Sequence, residues 1–148
     1  MPAPDIDSYE AIRNLLGTYC ERMDAGDFDG LSELFLDAEM TDERGNVFAT
    51  GREEIAAMWH RQTILYDGSP RTRHVTANPV IDLDEDAGTA VVRSSYVVFQ
   101  ATDDFPLQPI ITGRYVDRFL RDADDVWRWA ERSYAIDHLG DLSHHLRS

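Results

Sequence analysis

The chain has 148 residues and a formal net charge of −14, with 28 acidic against 14 basic residues, and is long enough for one domain with a real core. That field repels phosphate backbones and anionic lipid heads, which argues against nucleic-acid and membrane partners. All fourteen basic residues are arginine, so lysine Schiff-base chemistry and a P-loop are both excluded.

The opening "MPAPDIDSYE" carries neither the basic region nor the apolar run of a secretory signal, and a cytoplasmic location is expected. Asp7 and Glu10 have the spacing of a capping box. The helix they open carries Ile12, Leu15, Leu16, Tyr19, Cys20 and Met23 at helical spacing, and Gly26 ends it. Cys20, the lone cysteine, reads as a small core residue. Asp24 falls in the last turn of this helix, where a negative charge meets the negative end of the dipole at a cost of about 0.3–1 kcal/mol when exposed. Such a residue is either a tolerated surface charge or one held in place by a partner.

Asp27 caps a second short helix through Leu31, Leu34 and Phe35. "AEMTDERGNVFAT" reads as a hairpin turning at Arg44–Gly45–Asn46. Thr50 and Glu53 form another capping box, opening a third helix with Ile55, Met58, Trp59, Gln62 and Tyr66 on one face.

The remainder reads as strand. "RTRHVTANPVIDL" and "TAVVRSSYVVFQ" flank the turn "DEDAG", "DDFPLQP" reads as a loop, and "IITGRYVDRFLR" and "VWRWAERSY" flank the turn "DADD". Short turns between successive strands predict antiparallel pairing. Helices first and long strands second predict an α+β domain: a cone with helices on one face of a strongly curved antiparallel sheet. The core is expected over about residues 8–134, with 135–148 as a tail. His144 and His145 then read as solvated, and with no HExxH and one cysteine no metal site is expected. Trp59, Tyr66, Tyr96, Phe99, Phe105, Tyr115, Trp127 and Trp129 suit the walls of an apolar cavity.

The pieces "YCERMDAGDFDGLSELF", "TRHVTANPVIDLDEDAGTAVVRSSY" and "GRYVDRFLRDADDVWRWAERSY", in that order, resemble the SnoaL-like branch of the nuclear transport factor 2-like superfamily. That superfamily houses dehydratases, a dehydrochlorinase, ketosteroid isomerase, polyketide cyclases and noncatalytic subunits, so fold alone does not fix function. By resemblance to its dehydratases, Asp24 would orient His74, His74 would be a general base, and Tyr19 would hold a substrate oxygen. The resemblance implies a cofactor-independent lyase acting on an apolar, oxygenated polyketide, steroid or terpenoid, and a homodimer. Strand alternation places His74 with Thr76 and Asn78, opposite Val75 and Ala77.

Tyr19, Glu43 (or its neighbour Asp42) and Asp117 instead resemble the tyrosine and two acids of ketosteroid isomerase, which implies an isomerase or cyclase. Asp117 can equally belong to an ion-pair ladder with Arg114 and Arg118. Trp59, Tyr96, Tyr115, Glu43, Asp117 and Arg132 complete the expected substrate contacts, Arg132 resembling an arginine of the dehydrochlorinase or standing as a sheet-surface cation beside Glu131. Scytalone dehydratase uses a second histidine from the next strand; "TAVVRSSYVVFQ" has none, leaving Arg93, Ser95 or Tyr96 to substitute. The dehydrochlorinase has a lysine at the position of Tyr19. A noncatalytic ligand-binding or assembly subunit is the third reading.

Overall fold

The computed structural model describes residues 7–148. Helix α1 spans Ser8–Asp24, with the Asp7 carboxylate accepting from the Glu10 N–H. Its periodic positions Ile12, Leu16, Tyr19 and Met23 are all buried. Gly26, at φ +74°, turns the chain into α2 (Phe28–Ser32), capped by Asp27 and continued by a 3-10 turn over Glu33–Phe35. Strands β1 (Glu39–Asp42) and β2 (Val47–Thr50) form the expected hairpin, with Gly45 at φ +85°.

Helix α3 (Gly51–Gln62) starts and stops differently from expectation. Gly51 takes φ +78°, which delays helical geometry by one residue, and Glu54 rather than Glu53 reaches back to the Thr50 N–H. The Thr50 hydroxyl makes no cap bond. At the other end the helix stops before Tyr66 because the C-terminal segment captures the backbone. Ile64 N–H donates to the His145 carbonyl at 2.8 Å, Arg147 N–H donates to Gln62, and Thr63 pairs with Leu146. Tyr66 instead closes a turn with Ser69 over Asp67 and Gly68, both at positive φ.

Strands β3 (Thr72–Asp84), β4 (Thr89–Thr102), β5 (Phe105–Arg121) and β6 (Trp127–Leu139) form an antiparallel meander. The sheet order is β2-β1-β6-β5-β4-β3, and β1 lies parallel to β6, so the sheet is mixed rather than wholly antiparallel. Turn lengths report only on neighbours in sequence and carry no information about this long-range pair. The stretch "DDFPLQP" is mostly strand: only Asp103 and Asp104 turn, and Phe105 already pairs with Thr102. Strand β6 likewise runs five residues into the expected tail.

Bulges at Ala77/Val80, Val98/Phe99, Thr112/Gly113 and Arg118/Phe119 bend the long strands around the helices. Along β5, Tyr115, Asp117 and Phe119 face inward while Arg114, Val116, Arg118 and Leu120 face out, as their alternation predicts. A large aromatic and aliphatic cluster fills one end of the layer between helices and sheet. A smaller one, around Tyr96, Val98, Ile110 and Tyr115, leaves the other end open. Among the described residues no helix is long and apolar enough to cross a membrane.

Candidate active site

Asp24 and His74 meet. Asp24 ends α1, and the turn at Gly26 lies so close to Gly68 that a Cβ at Gly26 would sit 2.2 Å from the Gly68 carbonyl oxygen. This close approach seats the helix end against the start of β3. The Asp24 carboxylate then accepts from the Thr72 hydroxyl (2.9 Å), from the His74 backbone N–H (2.9 Å to Oδ2) and from His74 Nδ1 (2.6 Å). Those bonds offset its poor position on the helix dipole. Side-chain exposures of 15% for Asp24 and 8% for His74 make this a shielded, charge-assisted contact rather than a surface pair. Because a carboxylate only accepts, Nδ1 carries the proton in this bond, and Nε2 is the ring nitrogen left for a ligand.

His74 lines a cavity of about 300 Å³ between α1, α3 and the sheet. Tyr19, Trp59, Tyr96 and Tyr115 line it too, joined by Tyr134 and His145, which were not among the expected contacts. The Tyr19 and Tyr134 hydroxyls are 2.9 Å apart. Burial raises the acidities' midpoints of all four tyrosines, Tyr96 to about 12, so each stands as a neutral hydroxyl. The indole N–H of Trp59 is buried with no partner among the described residues.

The other aromatic residues go elsewhere. Trp127 and Trp129 pack in the main core, Phe105 stacks on His144 at 4.1 Å, and Phe99 faces a groove outside the cavity. A larger open groove of about 670 Å³ lies beside Glu85, Arg121 and Trp127. Its walls carry a partly exposed ion pair and no unpaired buried polar group, so the smaller cavity lined by His74 and the tyrosines is the better candidate.

Three expected substrate contacts do not reach the cavity. Glu43 is a surface residue, 3.8 Å from Arg114 across two exposed side chains. Asp117 and Arg132 are fully buried behind the wall, neither a surface ladder nor a sheet-surface cation. Arg132 Nε and Nη2 donate to the two Asp117 oxygens at 2.7 and 3.1 Å, and the Trp129 indole adds a third bond at 2.9 Å. Burial pulls the Arg132 guanidinium down, but the Asp117 carboxylate, joined by Tyr115 and Tyr134, outweighs it and holds the group well above its ordinary value. The guanidinium carbon lies 3.6 Å from the Tyr115 ring centre and 4.3 Å from that of Tyr19, so its charge sits against rings that line the cavity. Asp42 does border the cavity, yet its carboxylate is occupied by the Arg44 N–H and by both N–H groups of Asn46. The Asn46 bonds, foremost its side chain's, lower the Asp42 carboxyl below its usual range.

On β3 the inward face carries His74 and Thr76, while Asn78, at φ +54° in the bulge, is exposed and leaves that face. Arg93 and Ser95 of β4 do not line the cavity, whereas Tyr96 does. Besides Tyr134, His145 was missed by sequence reasoning: it is 4% exposed, its ring centre 6.2 Å from that of His74. The available signal was Leu142 and Leu146, whose four-residue spacing brackets the histidine and whose side chains both line the cavity.

The SnoaL-like domain matches residues 4–133. No curated protein matches the chain. Among solved structures, Rv3472, a protein of unknown function from Mycobacterium tuberculosis, is 27% identical with a TM-score of 0.71, over 88% of this chain and 72% of that one. An NTF2-like protein with a cystatin-like fold from Novosphingobium aromaticivorans is 25% identical with a TM-score of 0.70, over 86% and 80%. A putative scytalone dehydratase from the same organism is 22% identical with a TM-score of 0.69, over 90% and 86%.

Proposed function

The chain belongs to the SnoaL-like domain family, and from that premise we propose that it is a lyase eliminating water from a small, mostly apolar β-hydroxy ketone. The observation that carries this reading is the 2.6 Å Asp24–His74 contact on the wall of an aromatic cavity. His74 Nε2 takes the proton alpha to the carbonyl, and that C–H electron pair becomes the new C=C bond. The β C–O bond breaks, and the imidazolium returns its proton to the departing oxygen, so the products are an unsaturated ketone and water. Asp24 balances the transient charge on His74 and fixes its tautomer. Tyr19 donates from its hydroxyl to the carbonyl or to the departing oxygen. A cavity of about 300 Å³ is at the small end for ligand sites and favours one- or two-ring molecules of polyketide or terpenoid type over a whole steroid.

The isomerase reading is weaker, because its acids are engaged elsewhere: Glu43 outside, Asp42 in its turn, Asp117 on Arg132. The Asp24–His74 contact and the hollow beside it weigh against a purely structural subunit. A homodimer is part of the proposal, with the exposed Val116 and Leu120 of the outer face as its apolar contacts. A cytoplasmic location is the companion expectation, resting on the sequence alone.

The test is a panel of cyclic and acyclic β-hydroxy ketones, 3-hydroxy-1-tetralone included, followed by the absorbance of the conjugated product. The expected result is turnover by the wild type and its loss in His74→Gln and Asp24→Asn with unchanged circular dichroism. Wild-type rates in either folded variant reject the reading.

A further inference from the structure

Two shielded histidines face one cavity, and among the described residues only His74 has a hydrogen-bond partner for its ring. His145 arrives from the segment that follows β6 and lines the cavity; its Nδ1 is sealed from solvent and unpaired among the described residues, so Nε2 is the ring nitrogen left for a ligand. With Nδ1 as the bare nitrogen, a neutral imidazole carries its proton on Nε2, where it can be donated. The backbone that carries the ring is firmly held. The His145 N–H donates to the Leu142 carbonyl at 3.0 Å, and its own carbonyl accepts from Ile64 at 2.8 Å. The preceding carbonyl, that of His144, accepts from the Tyr66 hydroxyl at 2.6 Å and the Gln100 amide at 3.0 Å. Four separate bonds thus pin the backbone that presents this imidazole.

We propose that His145, as a neutral imidazole, donates a hydrogen bond to the substrate's carbonyl oxygen, making it a second catalytic histidine supplied by the C-terminal segment instead of the neighbouring strand. This assignment rests on the lyase reading for its reaction, although its binding role can be measured alone. Charge logic divides the labour between the two rings. Burial, and then the nearby His74, hold the His145 imidazole down at about 4, with Asp24 opposing them more weakly. Asp24 bonds directly to His74, so the abstracted proton resides there, and His145 stays an uncharged donor. As the alpha C–H bond breaks toward His74 Nε2, negative charge grows on the carbonyl oxygen, where a fixed N–H dipole is most effective. His145 gains and loses no proton, and Tyr19 is left to hold the departing hydroxyl.

The experiment compares 1-tetralone with its hydrocarbon counterpart tetralin, titrated into the full chain and followed by amide NMR. Wild type is expected to bind the ketone at least about tenfold more tightly, the worth of a buried hydrogen bond. His145→Phe is expected to erase that preference while leaving tetralin affinity unchanged, and His145→Gln, which keeps a donor, to restore part of it. The His145 ring N–H resonance is also expected to move downfield with 1-tetralone and not with tetralin, a readout that needs no variant. Equal affinity for the two probes in wild type, no binding of either, or an undiminished preference in His145→Phe overturns the proposal. Deuterium exchange at the alpha carbon of 1-tetralone, run in the same samples, reads proton abstraction separately: its absence from wild type sinks the lyase reading, while the ketone preference still decides His145.

Discussion

Asp24 and His74 are joined through backbone and ring at once, the one carboxylate taking the His74 main-chain N–H at 2.9 Å and its Nδ1 at 2.6 Å. The first bond fixes where β3 passes the helix end; the second fixes which ring nitrogen carries the proton. Asp24→Asn separates these duties, because an amide oxygen still accepts one bond but carries no charge. Turnover is expected to fall by about 10²–10⁴-fold, while stability falls by about 1–3 kcal/mol. Steady-state rates on a processed β-hydroxy ketone and urea denaturation check the two halves; a rate within about a factor of two of wild type contradicts the first.

The Asp117–Arg132 pair is a structural pillar behind the cavity, and its removal tests stability before chemistry. Either single change, Asp117→Leu or Arg132→Met, strands a buried charge and is expected to cost about 3–5 kcal/mol. The double variant removes both charges and is expected to cost less than either single. Chemical denaturation of the three variants gives the coupling directly.

His145 makes stability sensitive to mild acid. Its folded value of about 4 lies below its ordinary 6.5, so the unfolded chain takes the proton first. Stability is therefore fully present above about pH 6.5 and declines as pH falls toward 4, by about 3 kcal/mol if the whole shift is expressed. Carboxylates held below their usual range, such as Asp122 and Asp137, lose their contribution only at lower pH. Urea midpoints between pH 7 and 4 are expected to slope downward in wild type and to flatten over that range in His145→Phe.

Gly113 allows the cavity wall to close. A Cβ there would lie 2.0 Å from the Ala135 carbonyl oxygen and 2.6 Å from the Tyr96 hydroxyl. Gly113→Ala is expected to cost about 1–3 kcal/mol or more and to dislodge Tyr96 from its stacking on Tyr115, whose ring centre is 4.2 Å away. Thermal denaturation and the near-ultraviolet aromatic circular dichroism report the two effects; an unchanged spectrum contradicts the second.

Much of this arrangement was legible in the residues. The stripe from Ile12 to Met23, the hairpin at Gly45 and the alternation along β5 follow from local spacing, because each repeats the period of its own element. Asp24 and His74 were reached by resemblance, while the misplaced charge at the helix end by itself fitted either a surface charge or a partnered one. Asp117 lies between Tyr115 and Phe119 on the inward row, so its burial was readable, but the cation it requires sits on another strand, opposite it in the β5–β6 register. His145 escaped because "DLSHHLRS" is short and polar, and its burial depends on pairing with residues 62–64 rather than on any period of its own. The same pairing cut α3 short of Tyr66.

Strand β1 has only the short β2 beside it until β6 arrives to lie parallel on its other side, about ninety residues later in the chain. During synthesis, then, the opening helices and first hairpin leave the ribosome long before the sheet can accept them. Docking is postponed until the last strand emerges, and the slow search for so distant a partner becomes the natural bottleneck of maturation.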